Sequence, residues 1–118
     1  MIEIDFEKMG GLVPAVLQDA DNGEVLMVGF MNAESCAITL QTGYATFFSR
    51  TRNKLWTKGE TSGNRAYVIS AATDCDRDTL LLRVRLEGEG VICHQGTRSC
   101  FNEVLPVAGQ AESKQVAP

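Results

Sequence analysis

The sequence is short of several residue types and of positive charge. Its 118 residues include one histidine, one tryptophan and three prolines. Eleven Lys and Arg residues stand against fifteen Asp and Glu residues, a formal net charge of -4, so no overall positive field attracts a nucleic acid or an anionic lipid surface. No apolar run reaches the roughly 18 residues that predict a membrane-spanning helix. We therefore expect neither nucleic acid nor membrane as a partner, and any anionic ligand must be held by local contacts.

The start of the chain and its length favour a single cytoplasmic domain. Residues 1–7 mix acidic and apolar side chains and lack the basic start and apolar stretch of a signal peptide. A chain of 118 residues fits one domain with one core. We assign this domain to residues 1–105. A flexible tail is expected over residues 106–118, where small and polar side chains cannot bury enough surface to offset their ordering entropy.

The hydrophobic pattern predicts an α+β fold that is rich in strands. Strands are expected over residues 12–18, 25–30, 44–49, 65–71 and 80–86, with a polar loop between the third and the fourth. The first two flank Asp21-Asn22-Gly23, whose Asn-Gly pair accepts the positive φ angles of a tight hairpin turn. We expect about five or six strands in a barrel-like sheet.

One main helix is predicted after the second strand. Asn32 offers a side-chain oxygen as the N-cap, residues 33–41 tolerate a helix, and Gly43 can end it in the left-handed region. Cys36 lies on this helix among apolar residues, and we interpret it as a small core side chain.

The other three cysteines are candidate metal ligands. Six residues separate Cys93 from Cys100, and seventeen lie between Cys75 and Cys93. A catalytic zinc keeps three protein ligands and an open position, whereas a structural zinc normally has four. The spacing alone leaves three alternatives: a catalytic zinc, a structural zinc with Cys36 or His94 as the fourth ligand, or buried inert thiols.

Three carboxylates alternate with other residues in Asp74-Cys75-Asp76-Arg77-Asp78. In an extended chain Asp74, Asp76 and Asp78 face one way and Cys75 the other. Carboxylate oxygens suit magnesium and a thiolate suits zinc. An unbroken strand would bury the aspartates beside the apolar residues that follow, so we expect a bulge or loop near Asp78 or Thr79, or a cleft. The alternative is a solvated acidic turn.

The segment from Trp56 to Asn64 combines two glycines with hydrogen-bond donors. Lys58, Thr61 and Ser62 suit a phosphate group, and Arg50 and Arg52 upstream add positive charge. It lacks the Walker pattern of a nucleotide triphosphatase. The alternative is a polar hairpin loop with a half-buried Trp56.

His94 is the natural general acid–base because its ordinary pKa lies near neutrality and it adjoins a candidate zinc ligand. A lone histidine is more often structural. On a regular strand His94 would point away from a metal held by Cys93, so the functional interpretation requires a loop there, which Gly96 favours.

Together these motifs, in this order and spacing, resemble the phosphoribosyl-AMP cyclohydrolases of histidine biosynthesis. The resemblance covers roughly residues 11–101. The longest matching motifs are Leu55-Trp56-Thr57-Lys58-Gly59-Glu60-Thr61-Ser62-Gly63-Asn64, Asp74-Cys75-Asp76-Arg77-Asp78-Thr79-Leu80-Leu81 and Cys93-His94-Gln95-Gly96-Thr97-Arg98-Ser99-Cys100-Phe101.

The resemblance implies a hydrolase that opens the adenine ring of N1-(5-phosphoribosyl)-AMP between N1 and C6. It implies an intertwined homodimer with zinc at the subunit interface, bound by Cys75 of one chain and by Cys93 and Cys100 of the other. Magnesium is then assigned to Asp74, Asp76 and Asp78, and acid–base catalysis to His94. Substrate binding is assigned to Arg50, Arg52, Trp56, Lys58, Glu60, Thr61 and Ser62.

The sequence departs from the family pattern in one motif. Where the family usually has Gly-Pro-Ala-Cys-His-Thr-Gly, this chain has Gly90-Val91-Ile92-Cys93-His94-Gln95-Gly96, which changes local packing and removes a hydroxyl beside His94.

A zinc nucleobase deaminase is disfavoured because its His-x-Glu and Pro-Cys-x-x-Cys motifs are absent. A structural zinc module that binds a partner is the non-enzymatic alternative.

Overall fold

A computed structural model describes residues 2–109. Within them lie six strands and one helix: β1 (Val13–Asp19), β2 (Val25–Met31), α1 (Ala33–Thr42), β3 (Thr46–Ser49), β4 (Lys54–Thr57), β5 (Ala66–Thr73) and β6 (Leu80–Leu86). The predicted α+β class, the strand number and the single helix are confirmed. β4 was not expected: it lies inside the predicted polar loop and pairs with β3. The ten-residue helix is too short to cross a membrane, and no other helix occurs in residues 2–109.

The strands form two sheets, and the predicted barrel is wrong. Four strands hydrogen-bond in the order β2-β1-β6-β5, and β3 and β4 make a separate pair. β1 runs parallel to β6, and the pairs β1–β2 and β5–β6 are antiparallel. A closed barrel needs a continuous ladder, whereas the two sheets meet through an isolated bridge between Tyr44 and Tyr67.

The β1–β2 hairpin is confirmed, but its turn is wider than the predicted tight one. Residues 20–24 separate the strands, and only Gly23 among them has a positive φ, 79°. Backbone bonds close the loop, from the N–H of Gly23 to the carbonyl of Asp19 (3.0 Å) and from the N–H of Asp19 to the carbonyl of Glu24 (2.7 Å). Oδ1 of Asp19 also accepts hydrogen bonds from the backbone N–H of Asp21 (2.8 Å) and Asn22 (3.1 Å). A side chain therefore reinforces the turn that we expected from backbone dihedrals alone.

Helix α1 has the predicted caps. Oδ1 of Asn32 accepts from the backbone N–H of Ser35 at 2.8 Å, and Oγ of Ser35 accepts from the N–H of Asn32 at 2.9 Å, which satisfies two otherwise unpaired donors. Gly43 ends the helix with φ 83°. Cys36 is buried in the core as predicted.

The core lies on one face of the four-stranded sheet. Alternate residues of β6 are buried as the sequence pattern predicts, with Leu82 and Val84 fully enclosed. They pack with alternate residues of β1 and with Phe47 of the β3–β4 pair. Residues 106–109 have no helix or strand, and residues 110–118 of the predicted tail lie outside the described residues. The assignment of a domain to residues 1–105 stays a prediction.

Candidate active site

A cleft of about 620 Å³ opens beside β4 and the loop that follows it. Of the seven predicted substrate-binding residues, six line it together with His94: Arg52, Trp56, Lys58, Glu60, Thr61 and Ser62. The seventh, Arg50, does not line it; its guanidinium lies 4.8 Å from the ring centre of Phe30. The cleft therefore gathers hydroxyl, ammonium and guanidinium groups that suit a phosphate.

Trp56 is the aromatic residue that lines the cleft. Its ring packs against the fully buried ring of Phe47, with 4.9 Å between the ring centres. The ammonium of Lys58 lies 6.0 Å from the Trp56 ring centre, at the outer limit of a cation–π contact. Pairing of β4 with β3 places Trp56 opposite Phe47, so the unpredicted strand positions the aromatic residue of the site.

The loop after β4, residues 58–65, is called the cleft loop. Oε1 of Glu60 accepts a hydrogen bond from the backbone N–H of Thr57 at 2.6 Å, and the N–H of Gly63 donates to the carbonyl of Gly59 at 2.8 Å. These bonds close a compact turn with Thr61 and Ser62 at its tip. One carboxylate oxygen of Glu60 is thus used to shape the loop.

Cys93 and Cys100 form a thiol pair. The pKa of Cys93 is lowered by the backbone N–H of Gln95, the hydroxyl of Thr97, the neighbouring Cys100 and the charge of Lys58. Desolvation and the neighbouring Cys93 raise the pKa of Cys100. Cys93 is therefore the thiol that ionises first, and its ionised form is the one that ligates metals.

The thiol pair and His94 lie on a turn, as the functional interpretation of His94 requires. The N–H of Gly96 donates to the carbonyl of Cys93 at 2.9 Å, and the N–H of Cys93 donates to the carbonyl of Thr97 at 3.1 Å. His94 is exposed and lines the cleft. Ile92, one of the departures from the family pattern, is buried in the core, so this substitution adds apolar packing under the turn.

The carboxylates of Asp74, Asp76 and Asp78 cluster, each with an oxygen within 4.8 Å of the others. The extended geometry considered for them is wrong: the segment is a turn between β5 and β6 in which Arg77 has φ 62°. Oδ1 of Asp74 accepts from the N–H of Asp78 (3.0 Å) and of Thr79 (3.2 Å). The break in the strand that we expected near Asp78 or Thr79 is thus present, and it begins at Asp74.

The electrostatics of the acidic cluster favour a cation. Desolvation and the other two carboxylates raise the pKa of Asp78. Desolvation also opposes ionisation of Asp74, but hydrogen bonds from the N–H groups of Asp78 and Thr79 lower its pKa. Since clustered carboxylates resist ionising together, a hard cation with oxygen ligands such as magnesium fits this set of donors.

Lys8 is a residue of this cluster that the sequence did not suggest. Its Nζ lies 3.2 Å from Oδ2 of Asp78 and 3.5 Å from Oδ2 of Asp76, and the hydrogen bond to Asp78 raises the pKa of Lys8. The N–H of Asp5 donates to the carbonyl of Arg77 at 2.7 Å. The contact joins residues far apart in the chain, so no local motif marks it.

Cys75 is exposed on the same turn as the aspartates. In residues 2–109 the aspartate cluster is the one group of three or more close metal-ligating side chains, so Cys75 does not join Cys93 and Cys100 within one chain. The thiol pair offers zinc two ligands, whereas zinc sites in proteins use three or four. The pair fits zinc when a further donor comes from outside the subunit.

The sequence is similar to known proteins along most of its length. Residues 27–102 match the family model described as phosphoribosyl-AMP cyclohydrolase. A phosphoribosyl-AMP cyclohydrolase of Citrifermentans bemidjiense is 57% identical over 101 residues, which are 86% of this chain and 80% of that protein. Another, of Desulfatibacillum aliphaticivorans, is 58% identical over 105 residues, 89% of this chain and 83% of that protein. The chain belongs to the phosphoribosyl-AMP cyclohydrolase family.

Proposed function

We propose that this protein is a phosphoribosyl-AMP cyclohydrolase of histidine biosynthesis. It adds water across the N1–C6 bond of the adenine ring of N1-(5-phosphoribosyl)-AMP and yields the formimino-carboxamide ribotide. The observation that carries the proposal is that the family match over residues 27–102 includes every residue assigned to the site. All four cysteines are free thiols, which fits the reducing cytoplasm as its location.

The cleft binds the phosphorylated substrate. The protein has a net charge of -4, so a phosphate must be held by directed contacts, and the cleft supplies the ammonium of Lys58, the guanidinium of Arg52 and the hydroxyls of Thr61 and Ser62. Trp56 offers an aromatic surface beside them. The loop turn held by Glu60 presents both hydroxyls to the ligand.

Zinc is the proposed metal of the thiol pair, held by Cys93 and Cys100 of one subunit and by Cys75 of the partner subunit. When bound, zinc supplies Lewis acidity and lowers the pKa of water toward 7. The protein then acts as a homodimer, because the exposed Cys75 does not reach the thiol pair of its own chain. Ile69 and Leu81 are exposed apolar residues on β5 and β6, and burying them against a second copy would support this assembly.

His94 moves the proton of the reaction. Hydrolysis requires that the attacking water loses a proton and that the departing N1 gains one. His94 lines the cleft one residue from Cys93, and an imidazole can both accept and donate a proton, which suits both transfers. General acid–base catalysis of this kind contributes about 10²- to 10⁴-fold.

Asp74, Asp76 and Asp78 are the proposed ligands of magnesium. Bound magnesium commonly bridges protein carboxylates and substrate phosphates. Lys8 lies against two of these carboxylates and must give way when an ion binds them.

The proposed function is tested by giving the purified protein N1-(5-phosphoribosyl)-AMP and following the ultraviolet absorbance of the adenine ring. We expect ring opening that a zinc chelator abolishes and added zinc restores. His94→Ala is expected to remain folded by circular dichroism, to retain its zinc, and to lose about 10²-fold or more of its turnover. A structural zinc module would show no turnover in the wild type, and chelator-insensitive ring opening would overturn the role of zinc.

A further inference from the structure

The turn that carries the thiol pair is not part of a helix or strand. Residues 91–101 contain neither, and two of their backbone hydrogen bonds close the turn on itself: the N–H of Ile92 donates to the carbonyl of Arg98 and the N–H of Cys93 to that of Thr97, both at 3.1 Å. These bonds shape the turn without attaching it to the sheet. The placement of the two sulfur atoms therefore depends on contacts with other elements.

The C-terminal end of the turn is attached to the start of β2. The N–H of Cys100 donates to the carbonyl of Leu26 at 2.8 Å, and Oγ of Ser99 donates to the carbonyl of Val25 at 2.8 Å. Both bonds lie at or after Ser99. At the other end Ile92, beside Cys93, is buried in the core, but apolar packing is not directional and leaves the orientation of the Cys93 segment to further contacts.

Arg98 supplies a second attachment through the loop between β1 and β2. Its Nε donates to Oε1 of Glu24 at 2.6 Å, and its Nη2 donates to Oδ2 of Asp19. The side chain of Asp19 is 8% exposed and that of Glu24 is 16% exposed, whereas that of Arg98 is 41% exposed. The two carboxylates are thus shielded on their own side, and the guanidinium that joins them makes charge-assisted hydrogen bonds to both. The other oxygen of Asp19 already accepts two backbone hydrogen bonds in the β1–β2 loop.

The planar fork of the guanidinium makes this attachment directional. Arg98 spans two carboxylates with two different nitrogens of one rigid plane, whereas a lysine ammonium has a single nitrogen whose donors rotate on a flexible stem. Arg98 does not line the cleft, so its side chain faces the hairpin loop and not the proposed substrate. Its sequence position between Cys93 and Cys100 means that any shift of its backbone moves the segment that joins the two sulfurs.

We propose that Arg98, clamped between Asp19 and Glu24, is a positioning residue that sets the separation and direction of the Cys93 and Cys100 sulfurs and thereby the affinity of the pair for a thiophilic metal. The inference rests on the zinc site of the proposed function. Zinc–sulfur bonds are close to 2.3 Å long, so a displaced thiol loses its bond. Partners that orient metal ligands typically change metal affinity by about 10- to 100-fold when mutated.

The first test is a titration of the metal-free protein with Co²⁺, followed by thiolate-to-cobalt absorbance. We expect Arg98→Gln to bind Co²⁺ about 10- to 100-fold more weakly than the wild type, and Asp19→Asn to weaken it in the same sense. Arg85→Gln is the matched control, because Arg85 pairs with Asp21 of the same hairpin loop at 3.4 Å but lies outside the thiol turn. Wild-type affinity in Arg98→Gln, or an equal loss in Arg85→Gln, would overturn the proposal.

The second test needs no metal and no second subunit. Phenylarsine oxide bridges two adjacent thiols with release of water, and in a Cys75→Ser background the pair Cys93 and Cys100 is its expected target. We expect one bridged adduct by mass spectrometry, formed much more slowly after Arg98→Gln and at the unchanged rate after Arg85→Gln. Unchanged bridging in Arg98→Gln would overturn the clamp. If Co²⁺ does not bind to the wild type but the arsenical adduct still forms, the zinc proposal fails. The role of Arg98 is then still tested by comparing the rates of adduct formation with and without Arg98→Gln.

Discussion

Gly59 lies at the bend of the cleft loop and is the position where the smallest side chain would disturb the site most. It has φ 79°, and a Cβ built there would lie 2.6 Å from the backbone nitrogen of Arg65 and still closer to the carbonyl group of Asn64. These obstacles are backbone atoms and cannot rotate away. Gly59→Ala must therefore move the loop as well as strain its own dihedral angles.

Gly63 is the matched control for this substitution. It has φ 82° and nothing within 4 Å of a built Cβ, so Gly63→Ala carries only the cost of a left-handed alanine, about 1 kcal/mol. Gly59→Ala carries that cost and a steric cost of roughly 1–3 kcal/mol. We expect free energies of unfolding lower by about 1 kcal/mol for Gly63→Ala and about 2–4 kcal/mol for Gly59→Ala.

The assay is urea unfolding of both variants, combined with substrate kinetics. The carbonyl of Gly59 accepts from the N–H of Gly63 at 2.8 Å, and this bond closes the turn that presents Thr61 and Ser62. Displacing the turn is expected to raise KM about tenfold or more in Gly59→Ala, with a much smaller change in Gly63→Ala. Equal destabilisation of the two variants would refute the steric argument. An unchanged KM in Gly59→Ala would show that the cleft loop does not contribute to substrate binding.

Three further changes test other parts of the structure. Lys8→Gln removes an ammonium that competes for the aspartate cluster, so calorimetry should show tighter magnesium binding; unchanged or weaker binding contradicts that competition. Desolvation opposes ionisation of Asp19, but backbone N–H groups and Arg98 lower its pKa. The ionised Asp19 therefore contributes to the free energy of unfolding in full above the ordinary aspartate pKa of about 3.9, and this contribution is lost as the pH falls below that value. The Asp19→Asn variant should lose this part of the pH dependence of acid unfolding, and an unchanged acid transition would contradict the reasoning. Gly29→Ala places a Cβ 2.5 Å from the buried Phe47 ring and should lower the unfolding free energy by about 1–3 kcal/mol, whereas an unchanged denaturation midpoint would contradict this packing.

Features set by neighbouring residues could be predicted from the sequence. Asn32 and Gly43 mark the helix because they satisfy backbone groups within one turn, and the alternation in β6 follows from burial of one face. The approach of Lys58, Thr61 and Ser62 to one cleft also depends on a single loop. Their positions required no knowledge of distant pairing.

Features that depend on distant pairing could not be predicted in the same way. The parallel pairing of β1 with β6 and the contacts of Lys8 and Arg98 join segments separated by most of the chain. β4 has only four residues and lies within a polar segment, so its local sequence gives no strand pattern. Its pairing with β3 is what defines it as a strand. The expected barrel failed for the same reason, because ladder continuity is a property of the folded sheet.

The most direct test of the account mixes two inactive variants, Cys75→Ser and Cys93→Ser. In the proposed homodimer, two copies of one variant lack a ligand in both sites, whereas one copy of each variant would combine Cys93 and Cys100 of the first with Cys75 of the second in one complete site. After unfolding and joint refolding, random pairing should restore about one quarter of wild-type activity together with the matching amount of zinc. If Cys75 serves the thiol pair of its own chain, or serves no zinc site at all, the mixture will gain nothing over the two variants kept apart.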